Sequence, residues 1–223
     1  MLTPRLKLIA DFVKGKTVAD IGTDHAYIPI ELMKNGRCER VIASDVNTGP
    51  AEIAENNIKE EGLNIEVRTG SGLSVLMPGE AEDIIIAGMG GKLICEILAA
   101  HPEIAKSSRL ILQPMNGQYE LRSFLLKEGY VISHEDLALE GFKVYNVIIC
   151  DRMGKPLSYK SETDLHIPEF LKNHIYYSHL KEKKIREFRK IISGYEKSKS
   201  NCDEERLNLY RKILSETVER EAQ

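Results

Sequence analysis

No stretch of this 223-residue chain approaches about 18 consecutive apolar residues, so a membrane-spanning helix is not expected. The first residues, Met1-Leu2-Thr3-Pro4-Arg5, lack the charged region and long apolar block of a secretory signal. Cysteine is scarce and scattered: Cys38, Cys95, Cys150 and Cys202 form no C-x-x-C pair. Neither a disulfide frame nor a bound metal is therefore expected, and the thiols read as those of a cytoplasmic protein. A dinucleotide fold needs G-x-G-x-x-G, because a pyrophosphate must lie against bare backbone at a helix start. Here the corresponding turn is Gly22-Thr23-Asp24-His25-Ala26-Tyr27, with an acid where the second glycine would stand. Asp24 would repel a pyrophosphate but help to hold a sulfonium or ammonium group.

What is present is ordinary for a globular protein: 42% hydrophobic and 29% charged residues. Around Gly22 the order is apolar run, acid, tight turn, helix, apolar run, acid. Val18 to Ile21 reads as a buried strand, and Ile28, Ile30, Leu32 and Met33 mark a helix. Val41 to Ser44 reads as a second strand with Asp45 at its end. This is the front half of a nucleoside-binding α/β domain, in which ligands sit outside the carboxyl ends of parallel strands. Gly22 lets the backbone approach the ligand, and Asp45, 23 residues further on, stands where such folds keep a carboxylate for ribose hydroxyls. Together with Asp24, this favours S-adenosylmethionine over a nicotinamide or flavin dinucleotide.

Taken in order, Thr3 and Pro4 open a helix with Leu6, Ile9, Ala10 and Val13 on its apolar face. A helix is predicted over Thr48–Glu61 and a short strand over Asn64–Arg68, ending in Thr69-Gly70-Ser71-Gly72. Asp83–Ala87 is a continuous apolar strand of the kind buried on both faces, and it runs into Gly88-Met89-Gly90-Gly91. A helix with Leu93, Ile94, Ile97 and Leu98 inward follows, then a strand over Arg109–Leu112 closed by Gln113-Pro114, then a helix over Tyr119–Lys127. Two strands, Tyr130–Ala138 and Lys143–Cys150, make an antiparallel hairpin across Leu139-Glu140-Gly141-Phe142. The expected fold is thus α/β, a Rossmann-like seven-stranded class I methyltransferase sheet spanning residues 1–153. Residues 154–223 are expected to form an all-α antiparallel, coiled-coil-like helical hairpin. Its stripes are Ile185, Phe188, Ile192, Tyr195 and Leu207, Tyr210, Leu214, Thr217, with Asn201 or Asp203 capping the second helix.

Three separated motifs give a more specific likeness. Asp20-Ile21-Gly22-Thr23-Asp24-His25-Ala26-Tyr27, Ala87-Gly88-Met89-Gly90-Gly91 and Ile111-Leu112-Gln113-Pro114 together resemble the bacterial tRNA (adenine(22)-N(1))-methyltransferase family. The region Gly141-Phe142-Lys143-Val144-Tyr145 and the helical tail are similar to it as well. The resemblance implies S-adenosylmethionine as cofactor and adenine 22 of tRNA as target. It implies Gly22 at the methionine end, Asp45 on the ribose, Asp20 at the turn or the amino group, and Gly72, Gly88 and Met89 nearby. Ser71 stands where the family commonly has an acidic or amide residue against the adenine edge, so that contact falls to Ser71 or a neighbouring backbone group. Asp20 and Asp45 also have a plain reading as helix or turn caps, and for Asp45 the spacing from Gly22 favours the functional one.

An adenine ring nitrogen attacks a sulfonium methyl with its own lone pair, so positioning, worth about 7–11 kcal/mol, is the main demand. The exocyclic amine must then lose a proton. Asp24 and His25 are the candidate acceptors, although a histidine after such a turn is as often a structural hydrogen-bonder. Gly88–Gly91 offers bare carbonyls and room for a flipped base, or simply a tight turn. Tyr27, Gln113, Asn116 and Arg5 are candidates for meeting the substrate; Arg5 could instead be solvated. Of 31 basic and 34 acidic side chains, 14 and 12 fall within residues 158–223, so the body is acidic and the tail mildly basic. Lys181, Lys183, Lys184, Arg186, Arg189 and Lys190 lie within ten residues, as an RNA-phosphate contact or as the solvated face of a coiled coil. The expectation is a monomeric tRNA-binding enzyme. A methyltransferase for another substrate, or an RNA-binding module that kept the fold without turnover, are the rival readings.

Overall fold

The computed structural model describes residues 2–197 and 203–219, which form two compact units. The first comprises Met1–Glu140 and Tyr145–Leu157, the second Gly141–Val144 and Ser158–Gln223. The strands are β1 (Thr17–Ile21), β2 (Arg40–Asp45), β3 (Glu66–Thr69), β4 (Asp83–Gly90), β5 (Arg109–Asn116), β6 (Ile132–Glu140) and β7 (Lys143–Cys150). They form one sheet in the order β3-β2-β1-β4-β5-β7-β6. The pairs among β1 to β5 are parallel, and β7 runs antiparallel to β5. The chain reverses direction across the sheet between β1 and β4. The carboxyl ends of both strands diverge there, which is where an α/β sheet opens a crevice.

The first unit also holds helices α1 (Pro4–Asp11), α2 (Tyr27–Lys34), α3 (Thr48–Glu60), α4 (Gly91–Ala100), α5 (Pro102–Ser107) and α6 (Gln118–Lys127). Thr3 caps α1 through its hydroxyl, with Pro4 in the first turn, as the sequence suggests. One core cluster joins Ile9, Ile28, Leu32 and Ile58 of the helices and Val13 of the loop after α1 to Ile85, Ile111, Val147 and Ile149 of the strands. Alternation places Ile84, Ile86, Leu110 and Leu112 on the other face, all fully buried, as are Ile94 and Leu98 of α4 and Leu121 and Leu125 of α6. Asp83 ties the entry of β1 to this core. Its buried carboxylate accepts from the backbone of Lys14 and Gly15 at 2.7 and 2.9 Å and lies 3.2 Å from the Arg109 guanidinium.

Local boundaries differ from the expectations where pairing overrides pattern. The third strand starts at Glu66, where register with Ile42 begins, rather than at Asn64. Leu139 and Glu140 extend β6, so only Gly141-Phe142 remain as the hairpin turn, with Gly141 in the left-handed region at φ 56°. In α4 only Ile94 and Leu98 face the core, whereas Leu93 is 47% exposed. Helix α5 was not expected, although His101-Pro102-Glu103 carries a proline at its first position and an acid in its first turn.

The second unit contains α7 (Glu162–His166), α8 (Tyr177–Lys197) and α9 (Glu204–Glu219). Helices α8 and α9 run antiparallel, joined by ring contacts of Tyr210 with Phe188 and Tyr195 and by the Arg211–Glu196 ion pair at 2.7 Å. Asp203 caps α9 by accepting from the Arg206 N–H, while Asn201 and Cys202 lie outside the described residues. Of the expected stripe on α8, Phe188 is buried and both Phe188 and Tyr195 meet Tyr210, while the fully buried positions extend toward the start of the helix through Leu180, Lys181 and Lys184. Helix α7 was also unexpected; Ser161 caps it by accepting from the Asp164 N–H.

One buried pair invites a stability test. Arg122 of α6 and Glu135 of β6 are both fully buried and joined by two bonds of 2.7 and 2.8 Å. Glu135→Leu strands a guanidinium charge in the interior and is expected to cost about 3–5 kcal/mol, whereas adding Arg122→Met recovers most of that loss. Denaturant titration of the single and double variants measures both.

Candidate active site

The carboxyl ends of β1, β2 and β4 and the start of α1 and α4 enclose a cleft of about 750 Å³. That volume suits a nucleoside with an amino-acid-sized appendage. The turn after β1 forms its floor. The N–H groups of Gly22 and Thr23 both donate to the Ser44 carbonyl of β2 at 2.8 Å, locking the turn to the neighbouring strand. Gly22 has φ 76°, and a Cβ on it would collide with Cε of Met89. The backbone angle is what favours glycine here, since the Met89 methyl is the end of a flexible side chain and could move aside. Asp24 and Ala26 also sit in the left-handed region, at φ 51° and 57°, conformations that cost a non-glycine residue of order 1–3 kcal/mol each. Strain of this kind persists because the surrounding hydrogen bonds and the buried Ala26 methyl over-determine the turn.

Two carboxylates face the cleft. Asp20 is buried, and Oδ2 accepts from the Thr23 hydroxyl at 2.8 Å. Burial pushes its pKa up to about 6 against that hydrogen bond, with a smaller push from the Asp45 charge. Asp45 Oδ1 accepts from the Asn47 N–H at 3.0 Å, and its backbone carbonyl accepts from Gly70 N–H. Gly70, Ser71 and Gly72 pass along the cleft before a short 3-10 turn. The Ser71 carbonyl is taken by Ser74, and Gly72, at φ 54°, packs against Ile97. Gly88 and Met89 at the end of β4 complete this side. The glycine floor and paired acids fit a nucleoside carrying a cationic tail.

At the mouth, His25 and Tyr27 stack at 5.2 Å between ring centroids with planes 18° apart, and Tyr27 is 53% exposed. His25 Nε2 lies 3.6 Å from Asp24 Oδ2. Arg5 also lines the cleft. Gln113 is placed differently from its expected contact with substrate: it is fully buried, and Oε1 accepts from Arg5 Nη1 and from the Gly88 N–H. Asn116 pairs in register with Gly90 and is exposed outside the cleft wall; Met115 lines the wall instead. Sequence reading missed the apolar wall of Leu93, Ile97 and Met115, because apolar side chains in a helix or strand read as core.

The basic run on α8 does not form one exposed face. Lys181 and Lys184 are buried, and Lys184 Nζ donates to Glu187 at 2.8 Å. Lys183 Nζ donates to the Val144 carbonyl at 3.3 Å, and burial lowers its pKa. This corrects the expected surface. Lysine stems are long and apolar, and here they extend the buried stripe begun by Leu180. Arg186, Arg189 and Lys190 are exposed, with Arg186 3.7 Å from Glu182. Among the described residues there is no cluster of three metal-ligating side chains, and no helix is long and apolar enough to cross a membrane.

Residues 2–148 match the family model of a methyltransferase domain, so the chain is a methyltransferase of the class I fold. A Bacillus subtilis tRNA (adenine(22)-N(1))-methyltransferase is 38% identical over 162 residues, covering 71% of this chain and 68% of that protein. The chain belongs to that tRNA methyltransferase family. A Streptococcus pneumoniae structure in complex with S-adenosyl-L-methionine superposes with a TM-score of 0.79 at 30% identity, covering 98% of this chain and 99% of the other. The M. capricolum TrmK structure in complex with S-adenosyl-homocysteine has a TM-score of 0.80 at 25% identity, covering 99% and 97%.

Asp20 lines the cleft with a raised pKa, so ligand binding is expected to depend on pH. The raised pKa means that its contribution to the stability of the free protein is full below 3.8 and is lost as pH rises through about 6. A cationic ligand favours the ionised carboxylate, so binding below that pH must expel a proton. Affinity for S-adenosylmethionine is expected to rise with pH up to about 6–7 and then level, by at most about tenfold per unit. Calorimetric titration in buffers of different ionisation enthalpy reads the released proton, and Asp20→Asn abolishes the slope.

Proposed function

We infer that this protein transfers a methyl group from S-adenosylmethionine to N1 of adenine 22 in tRNA. The observation that carries the reading is the convergence of the three sequence motifs. The Gly22 turn and Gly88-Met89 meet in one cleft, and Gln113 stands directly behind it. The cofactor supplies a sulfonium methyl that the adenine lone pair attacks, leaving S-adenosylhomocysteine and a cationic methylated base. In this reading the methionine end lies along the Gly22 turn beside the Met89 methyl that covers it, and ionised Asp20 balances the amino group. Asp45, with Oδ1 engaged by Asn47, offers Oδ2 to a ribose hydroxyl. Ser71 and Gly72 flank the adenine.

The target base enters over the stacked His25–Tyr27 pair, whose exposed ring face suits an extruded base. Exposed Asp24 and half-buried His25, close to each other, take the proton lost by the exocyclic amine and pass it to water. Catalysis is assigned to residues 1–153 and tRNA contact to residues 154–223. The reading includes a monomeric, cytoplasmic enzyme, and size-exclusion chromatography with light scattering tests the first part.

Incubation with unmodified tRNA and methyl-labelled cofactor, followed by mapping of the modified nucleotide, tests the assignment. Label at N1 of adenine 22, lost when that adenine is replaced, is expected; label on another nucleotide or on none refutes it. For the tail, replacing Arg186, Arg189 and Lys190 together with serine is expected to weaken tRNA binding. It should also flatten the dependence of log affinity on log salt by about 2–3 units, leaving cofactor affinity alone. Replacing buried Lys181 and Lys184 by methionine should leave that slope unchanged; a full slope in the exposed triple variant returns α8 to a solvated helix.

A further inference from the structure

The junction of β4 and β5 contains an irregularity that the reaction scheme does not use. Ala87 stands opposite Gln113 and Met89 opposite Pro114, so Gly88 is an extra residue bulged out of β4. Its φ of 77° is one that only glycine adopts readily. The bulge turns the Gly88 N–H away from the ladder, and Gln113 Oε1 accepts it at 3.2 Å. The same oxygen accepts from Arg5 Nη1 at 2.8 Å. Arg5 is itself fixed, with its backbone N–H donating to Glu140 at 2.9 Å and its guanidinium 5.5 Å from the Tyr145 ring centroid. Beyond the bulge, Cε of Met89 lies in the space directly above Gly22.

We propose that Gln113 is a positioning residue for methyl transfer: its buried amide oxygen, anchored by Arg5, sets the Gly88 bulge and so holds Met89 over the Gly22 turn. Gln113 is fully buried and stands behind the cleft wall, so it reaches neither reactant. It acts by giving the bulged backbone the acceptor that a regular ladder would have supplied. Removing that oxygen leaves a peptide N–H and a guanidinium short of a partner, and the bulge is free to re-orient. A carboxylate at the same place accepts both bonds and strengthens the one to Arg5. Met89 is then placed, or misplaced, at the floor on which the methyl donor rests. Displacements of about 1 Å there cost on the order of 100-fold in rate.

The inference rests on methyl transfer being the activity of the cleft, and its test separates the two. In protein with labelled methionine methyl groups, the Met89 resonance, assigned by its loss in Met89→Leu, reports the bulge without cofactor or RNA. Gln113→Leu is expected to shift that resonance and to lower kcat by roughly 10- to 100-fold, with cofactor KM within about threefold of wild type. Gln113→Glu is expected to restore both, which a purely structural core residue would not do. Gly88→Ala leaves Gln113 in place and introduces a Cβ with only Arg5 Nη1 nearby, at 4.0 Å, yet strains the bulge. It should reproduce the loss, and it carries the test if Gln113→Leu does not fold. An unmoved Met89 resonance, wild-type kcat in Gln113→Leu or Gly88→Ala, or equal impairment of the Leu and Glu variants overturns the proposal. A wild-type protein that methylates no tRNA strikes the functional assignment instead, and the Met89 resonance still decides whether Gln113 governs the bulge.

Discussion

Two peptide N–H groups, those of Gly22 and Thr23, converge on the single carbonyl of Ser44, and the cleft depends on that junction. It couples the end of β1 to the end of β2, so the turn cannot shift without breaking a strand-to-strand contact. The turn can then hold conformations a free loop would relax. Asp24 and Ala26 remain left-handed, and Asp20 remains buried beside Thr23 with its proton affinity raised. Rigidity of this kind keeps an acid desolvated beside the backbone, an arrangement that suits a cationic ligand.

The opposite wall is organised by a different constraint. Asp83 fixes the start of β4 through two backbone N–H groups and Arg109, and the strand then runs through three buried isoleucines, Ile84 to Ile86, before it bulges at Gly88. Rigid at one end and irregular at the other, β4 delivers Met89 to the floor of the cleft. The two walls meet where the Met89 methyl covers Gly22. Fold stability and site geometry are therefore carried by separate groups of buried polar side chains, Asp83 with Arg109 for entry and Gln113 with Arg5 for exit.

The helical unit shows how far charge pattern alone can mislead. A count of lysines and arginines on α8 suggests a continuous basic face, but Leu180, Lys184 and Phe188 lie at i, i+4 and i+8 and turn inward together. Aliphatic stems make such a stripe possible, and the ammonium groups find partners such as Glu187. What remains exposed is the smaller set Arg186, Arg189 and Lys190.

Period and punctuation in the sequence determined the element order, the parallel core, the closing hairpin and the positions of Gly22, Asp45 and Gly88, because each follows from local backbone demands or from alternation. The burial of Lys181 and Lys184 on α8, the outward turn of Leu93 and the burial of Gln113 were decided only by tertiary packing. Each is a choice between faces of an element whose pattern allows either, and only neighbours distant in sequence settle it. Gln113 shows the reason most plainly: its role follows from a one-residue bulge in β4 and from Arg5, 108 positions away, and no local pattern encodes either.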